Sequence, residues 1–189
     1  FEELKSRGVE DIFFISMDGL TGLSEAIERV YPQAISQRCI VHIVRNIYGI
    51  LPKKDVKEVI GDFKKIYTAS NLSHAKLEYE TFKKKYKDNK KLMKKIEDNI
   101  NWVMQIFEYP PMIRKLIYTT NAIESLNAGL RKVTKGKGSF INETALIKVL
   151  YLRIQNLKKK WSKQIKSWKQ VQNELFGVFE ERFIKYIEK

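Results

Sequence analysis

Cysteine is almost absent from this chain, with one residue, Cys39, among 189. A lone thiol closes no disulfide within the chain, which fits a reducing, cytoplasmic compartment. Long apolar runs are missing too. No stretch approaches the ~18 apolar residues that a membrane span requires, and no charged-then-apolar leader precedes the first apolar segment. The chain therefore reads as soluble, with no membrane partner. Histidine is scarce, at positions 42 and 74 only. Cys39-Ile-Val-His42 looks like half of a zinc site, but too few further ligands remain to complete a four-ligand structural centre. A start at Phe1 rather than Met, with Phe1–Gly8 resembling the last turns of a helix, marks the chain as a piece of a longer protein.

Positive charge is what the chain has in excess. The formal net charge is +14, unevenly placed: residues 1–50 carry a balance of −2 and residues 51–189 a balance of +16. A basic body beside an acidic strand segment points to a polyanion partner, with carboxylates held apart for metal. Lysine-rich helices that merely keep the chain soluble are the alternative.

Apolar patterning divides the chain into three parts. Val9–Met17 reads as a strand buried on both faces, because Ile12, Phe13, Phe14 and Ile15 run without alternation. Leu20–Val30 follows as a helix and Ala34–Val41 as a second strand, giving a strand-helix-strand unit of a parallel sheet. Residues 1–43 are thus a partial α/β core. From 44 to 112 the period turns helical and lysine-rich, with breaks at Pro52, Asn71 and Asp88-Asn89; this is a helical insertion. Residues 113–189 supply further helices, one of them capped by Asn142.

Two carboxylates stand out. Asp18 ends the first strand and is followed by Gly19; Glu124 opens a later helix. A carboxylate at the end of a buried strand and another on a helix can converge on a Mg²⁺ pair, which suits phosphoryl transfer on nucleic acid. Each has a structural alternative. Asp18-Gly19 also suits a plain strand-to-helix turn. Asn121-Ala-Ile-Glu124 also fits a capping box. Beside Glu124, Asn127 and Arg131 form a polar stripe, apart from the apolar stripe of Ile123, Leu126 and Leu130. His42 and Arg45 could orient a phosphate or carboxylate, whereas Cys39 is most simply core. Arg131-Lys-Val-Thr-Lys-Gly-Lys-Gly138 is a basic turn whose Arg131, Lys132, Lys135 and Lys137 suit a DNA backbone, or else a solvated helix end. Trp102 reads as core, with stacking on an unpaired base as the other option.

Three segments, in order, resemble the Mutator-type transposases of bacterial insertion sequences. They are Asp18-Gly-Leu-Thr-Gly-Leu-Ser-Glu-Ala-Ile27, Gln37-Arg-Cys-Ile-Val-His-Ile-Val-Arg-Asn46 and Thr119-Thr-Asn-Ala-Ile-Glu-Ser-Leu-Asn127. Phe140 and Trp161 also fall where that family has them. The resemblance implies a ribonuclease H-like core with a large all-α insertion, predominantly helical overall, and an Asp-Asp-Glu triad using two Mg²⁺ or Mn²⁺ ions. Asp18 matches the second aspartate and Glu124 the glutamate. Cys39 and His42 match a Cys-x-x-His signature near the active site. The first aspartate belongs to an earlier strand with no counterpart here, so the expectation is a truncated core and an inactive fragment. DNA would be the partner, as element ends and target, for a homo-oligomeric, nucleoid-associated protein. A non-catalytic DNA-binding remnant is the rival reading.

Overall fold

Eight residues make the sheet. Strand β1 (Phe14–Met17) pairs in parallel with β2 (Ile35–Arg38), Phe14 against Ile35 and Met17 against Arg38. The computed structural model describes the backbone of residues 1–118, 122–161 and 167–187, and the side chains of 1–118, 124–159 and 167–186. Within these the protein is predominantly helical, and it divides into two units, Phe1–Tyr118 and Thr119–Lys189.

In the first unit, α1 (Glu2–Ser6) precedes β1, and α2 (Leu23–Val30) crosses from β1 to β2. Both strands are shorter than their apolar runs suggest. In β1 only Met17 is buried, Ser16 is exposed, and the two residues before it are half-buried. The second strand ends before Cys39. Cys39 caps a helix, α3 (Ile40–Tyr48), so Ile40 and Val41 are helical rather than extended. The reason is packing: Ile40, Ile43 and Ile47 recur at helical spacing, and all three are buried.

That helix ties the sheet to the helical block. The block comprises α4 (Lys53–Tyr67), α5 (Leu72–Tyr86) and α6 (Lys90–Gln105), then a short 3₁₀ turn (Ile106–Glu108) and α7 (Pro111–Tyr118). One core joins α3 to α4, α5 and α6, built on Ile40, Ile43, Ile47, Phe63, Phe82 and Ile96. Asn71 and Asn89 start their helices as side-chain caps, accepting from the His74 and Leu92 amides at 2.9 and 3.1 Å.

A polar clasp closes the outer side of α4 and α5. Asp62 accepts from Lys65 at 2.7 Å, Lys85 at 2.6 Å and Tyr86 at 2.9 Å. Burial acts to raise the Asp62 carboxyl, but these three donors outweigh it and hold it at about 2. Burial, and then donation to Asp62, pushes the Tyr86 phenol up to about 12. A depressed carboxyl stabilises the fold above its ordinary value of 3.8 and loses that contribution as pH falls toward 2. The raised phenol acts in the opposite sense, its contribution fading as pH rises from 10.0 toward 12. Asp62→Asn is expected to cost about 1–2 kcal/mol in urea melts at pH 7. That difference from wild type should shrink steadily between pH 4 and pH 2; a gap that stays constant would contradict the clasp.

The second unit contains α8 (Ala122–Thr134), α9 (Glu143–Trp161) and α10 (Trp168–Ile187). Asn142 caps α9 as expected, accepting from the Ala145 amide at 2.9 Å. Helices α8 and α9 approach closely because Gly129 is buried against Leu157. A Cβ added there would stand 2.8 Å from Leu157 Cδ1. Arg153 Nε donates to the Gly129 carbonyl at 3.1 Å and fixes the same crossing. The α10 backbone breaks at Glu180, with φ 30°, dividing what its apolar pattern presents as one helix.

Candidate active site

Parallel register sets the site's first half. Because Met17 lies opposite Arg38, the next residues, Asp18 and Cys39, leave the sheet at the same C-terminal edge. The Cys39 amide donates to the Met17 carbonyl at 2.7 Å, holding the two exits together. Ligands of open α/β sheets bind at this edge. The Asp18 side chain is exposed. The chain then turns through Gly19 at φ +80° and Gly22 at φ +81°, left-handed conformations that glycine adopts without steric cost. Gly22 caps α2.

Cys39 is a buried free thiol, and His42 follows it on the first turn of α3. His42 Nε2 lies 3.4 Å from Arg45 Nη1. Arginine only donates, so this contact is a hydrogen bond only where Nε2 accepts. His42 Nδ1 is buried and has no hydrogen-bond partner among the described residues. Nothing in the described residues gathers three or more His, Cys, Asp or Glu side chains into a metal-holding group.

Three residues that sequence reasoning passed over sit against this edge. Gln37 is fully buried in β2, and its Nε2 donates to the Trp102 carbonyl at 2.8 Å and the Arg38 carbonyl at 3.2 Å. Arg38 Nη1 donates to Asn99 Oδ1 at 3.0 Å, and its guanidinium lies 5.5 Å from the centre of the Trp102 ring. Asn99 is buried and donates to the Lys95 carbonyl at 2.8 Å. The sheet edge is thereby bolted to the last turns of α6. A signal existed: Asn99 interrupts the apolar face formed by Leu92, Ile96 and Val103, where a polar residue must find a buried partner. Trp102 itself is half-buried with the arginine beside it.

The second unit carries the remaining candidates. Glu124 is half-buried in the first turn of α8, with Asn127 and Arg131 exposed one and two turns on. Its helix presents the carboxylate near the positive end of the helix dipole. Leu126 and Leu130 are half-buried on the neighbouring stripe. Arg131, Lys132, Lys135 and Lys137 are all exposed, and the Lys137 ammonium lies 5.4 Å from the Phe140 ring. Asn121, and the Ile123 and Trp161 side chains, lie outside the described residues, so the capping-box alternative for Glu124 does too. The structure thus brings Asp18, Cys39 and His42 to one edge of the first unit, and sets Glu124, Asn127 and the basic segment along one stretch of the second.

No helix among the described residues is long and apolar enough to cross a membrane. Comparison with known proteins adds the following. The family described as "Transposase, Mutator family" matches residues 1–164. A probable transposase for an ISRM3-like insertion sequence element from Sinorhizobium fredii is 37% identical over 183 residues, covering 96% of this chain and 46% of the relative. The transposase for element ISRM3 from Rhizobium meliloti is 36% identical with the same coverage. A probable insertion-sequence transposase from Corynebacterium diphtheriae is 34% identical over 209 residues, covering 98% of this chain and 60% of that protein. The chain spans about half the length of the curated relatives it matches.

Proposed function

The chain belongs to the Mutator family of transposases, and from that premise we propose that it carries part of an Asp-Asp-Glu centre for DNA transposition. In this reading the strand-helix-strand segment is one side of a ribonuclease H-like core, and α4 to α6 belong to a helical insertion. Asp18 and Glu124 supply two carboxylates of the metal site, and a third comes from outside these 189 residues. The donor set fits: carboxylate oxygens suit hard Mg²⁺ or Mn²⁺, and Asp18 is exposed at the ligand-binding edge of the parallel pair. Bound there, two such ions would lower the pKa of water and offset charge on a phosphodiester undergoing in-line displacement.

The chain's own groups divide the remaining work. Asp18 and Glu124 fix charge beside the reacting phosphate. Arg131, Lys132, Lys135 and Lys137 hold the DNA backbone through sequence-independent contacts. His42, whose buried Nδ1 has no hydrogen-bond partner among the described residues, and Arg45 orient a group near the edge, and Asn121 and Asn127 flank Glu124. DNA is the partner, at element ends and at the target, and the full-length protein works as a homo-oligomer on the bacterial nucleoid.

The exposure of Asp18 at the shared exit of β1 and β2 carries this reading. Strand transfer by the full-length protein tests it, with Asp18→Asn and Glu124→Gln compared against wild type. Loss in both supports the assignment. Near-normal activity in either removes that residue from the centre, and DNA binding without metal-dependent cleavage by the wild type selects the non-catalytic alternative.

A further inference from the structure

We propose that Arg38 contacts a phosphate of the DNA strand being cut, beside Asp18; the proposal rests on the reading of Asp18 given above. Its position comes from register. Arg38 lies opposite Met17, so its side chain stands at the edge where Asp18 emerges. The guanidinium rests on the turn just after Asp18: a Cβ at Gly19 would meet its Cζ and Nε at 3.1 Å and Nη2 at 3.4 Å. The absence of a side chain at residue 19 is what leaves room for the guanidinium there.

The group is fixed before any substrate arrives. Asn99 Oδ1 holds Nη1 at 3.0 Å, the Trp102 ring centre lies 5.5 Å from the guanidinium carbon, and Gln37 ties the Arg38 carbonyl to α6 through its own bond to Trp102. Asn99 has no freedom to follow a wandering partner, being buried and bonded to the Lys95 carbonyl. Such anchoring removes the entropy that a long cationic side chain normally loses on binding.

Its charge is the unexplained part. No carboxylate among the described residues lies within ion-pair distance of Arg38, and its side-chain acceptor is a neutral amide. A guanidinium has five N–H donors, so most are left for a ligand. A half-buried cation held by a neutral amide is poorly explained as a stabilising device, because desolvating it without a counter-charge is costly. A phosphate fits both its charge and its planar fork, and lysine would not reproduce that fork. At this edge a preorganised donor would meet the charge that develops on non-bridging oxygens during transfer.

The experiment uses the full-length protein with Arg38→Gln, Arg38→Lys, Asn99→Ala and Asp18→Asn. The substrate is a duplex bearing the element's own end, with one phosphate at a time near the cut replaced by an uncharged methylphosphonate. Wild type should lose about tenfold or more in cleavage rate at one replaced phosphate, and Arg38→Gln about 100-fold on unmodified DNA. On the doubly altered pair the two losses should fail to multiply. Arg38→Lys should recover part of the rate, and melting temperatures report whether each variant is folded. Losses that multiply at every phosphate, or an Arg38→Gln variant of normal rate, would overturn the contact. Should Arg38→Gln not fold, Asn99→Ala decides: a reduced methylphosphonate penalty supports the proposal and an unchanged one defeats it. The two readings also fail separately. A dead Asp18→Asn without Arg38 coupling removes only Arg38, whereas an active Asp18→Asn removes the site beneath it.

Discussion

Asp18→Asn is expected to lower strand transfer by the full-length protein about 10³-fold or more, equivalent to about 4 kcal/mol in the barrier. Its melting temperature and DNA affinity should barely move. The contrast follows from where Asp18 sits. Its side chain is exposed and makes no hydrogen bond with a described residue, so an isosteric amide removes nothing that holds the fold. Surface changes of this kind shift stability by about 0.5 kcal/mol at most. What the amide does remove is a carboxylate at the sheet edge, on which the proposed metal binding would depend. Glu124→Gln is a less clean probe. Glu124 is half-buried and is not without a partner, so its loss mixes chemistry with some destabilisation. Rates for the two variants therefore have to be read beside their melting curves. A folded Asp18→Asn protein with wild-type turnover would end the metal assignment.

The sequence revealed the elements better than their joints. Helical period in Val56, Val59, Ile60, Phe63 and Ile66, and in Trp168, Val171, Leu175, Phe179 and Phe183, marks inward faces: six of these residues are buried, and Val56, Ile60, Trp168 and Phe179 are half-buried. The breaks read at Asn71 and Asp88-Asn89 fall at helix starts, where both asparagines act as side-chain caps, and the cap read at Asn142 is one as well. The joint at Cys39 was not legible, because Cys39-Ile-Val41 has the composition of a strand and its extended neighbours favour continuation. Only the spacing of Ile40, Ile43 and Ile47 tells helix from strand there, and it becomes decisive once α4 and α6 are present to bury it. The error had a functional consequence. With Cys39 in a strand, His42 falls past its end; with Cys39 as a cap, His42 is on the first turn of a helix anchored in the core.

For the candidate site, sequence motifs pointed to Asp18, Cys39 and His42; Asp18 and Cys39 directly follow the paired ends of β1 and β2, and His42 lies on the first turn of α3. Arg38 lies within the Gln37–Asn46 segment but has no role legible there, because its partner Asn99 comes from α6, 61 residues later. A charged residue inside a short strand has no local periodicity to betray its partners. Asn99 and Trp102 lie in a segment that reads as an ordinary amphipathic helix. Contacts of that span are set by tertiary packing, which single-sequence patterns do not encode.

The bolt between β2 and α6 yields the largest expected effect on stability. Gln37 is fully buried, and its amide nitrogen faces two carbonyl oxygens, those of Trp102 and Arg38, while its own oxygen has no hydrogen-bond partner among the described residues. The amide orientation is dictated by those carbonyls, since the reverse would set oxygen against oxygen. Gln37→Glu places a carboxylate oxygen where the donor stood. Ionised, it would be an unpaired buried charge facing a carbonyl, costing about 3–5 kcal/mol. Protonated, it could donate as glutamine does. Its carboxyl must therefore titrate above the usual glutamate value in the folded state, so the variant is most stable in acid and loses stability as pH rises through that higher value. Gln37→Leu should behave differently: it leaves the Trp102 and Arg38 carbonyls without this donor, a cost of about 1–3 kcal/mol that does not change with pH. Urea denaturation of both variants between pH 4.5 and pH 8 compares them. A Gln37→Glu protein that is no less stable at pH 8 than wild type would mean that water reaches this residue, and that β2 and α6 are not joined by a dry contact.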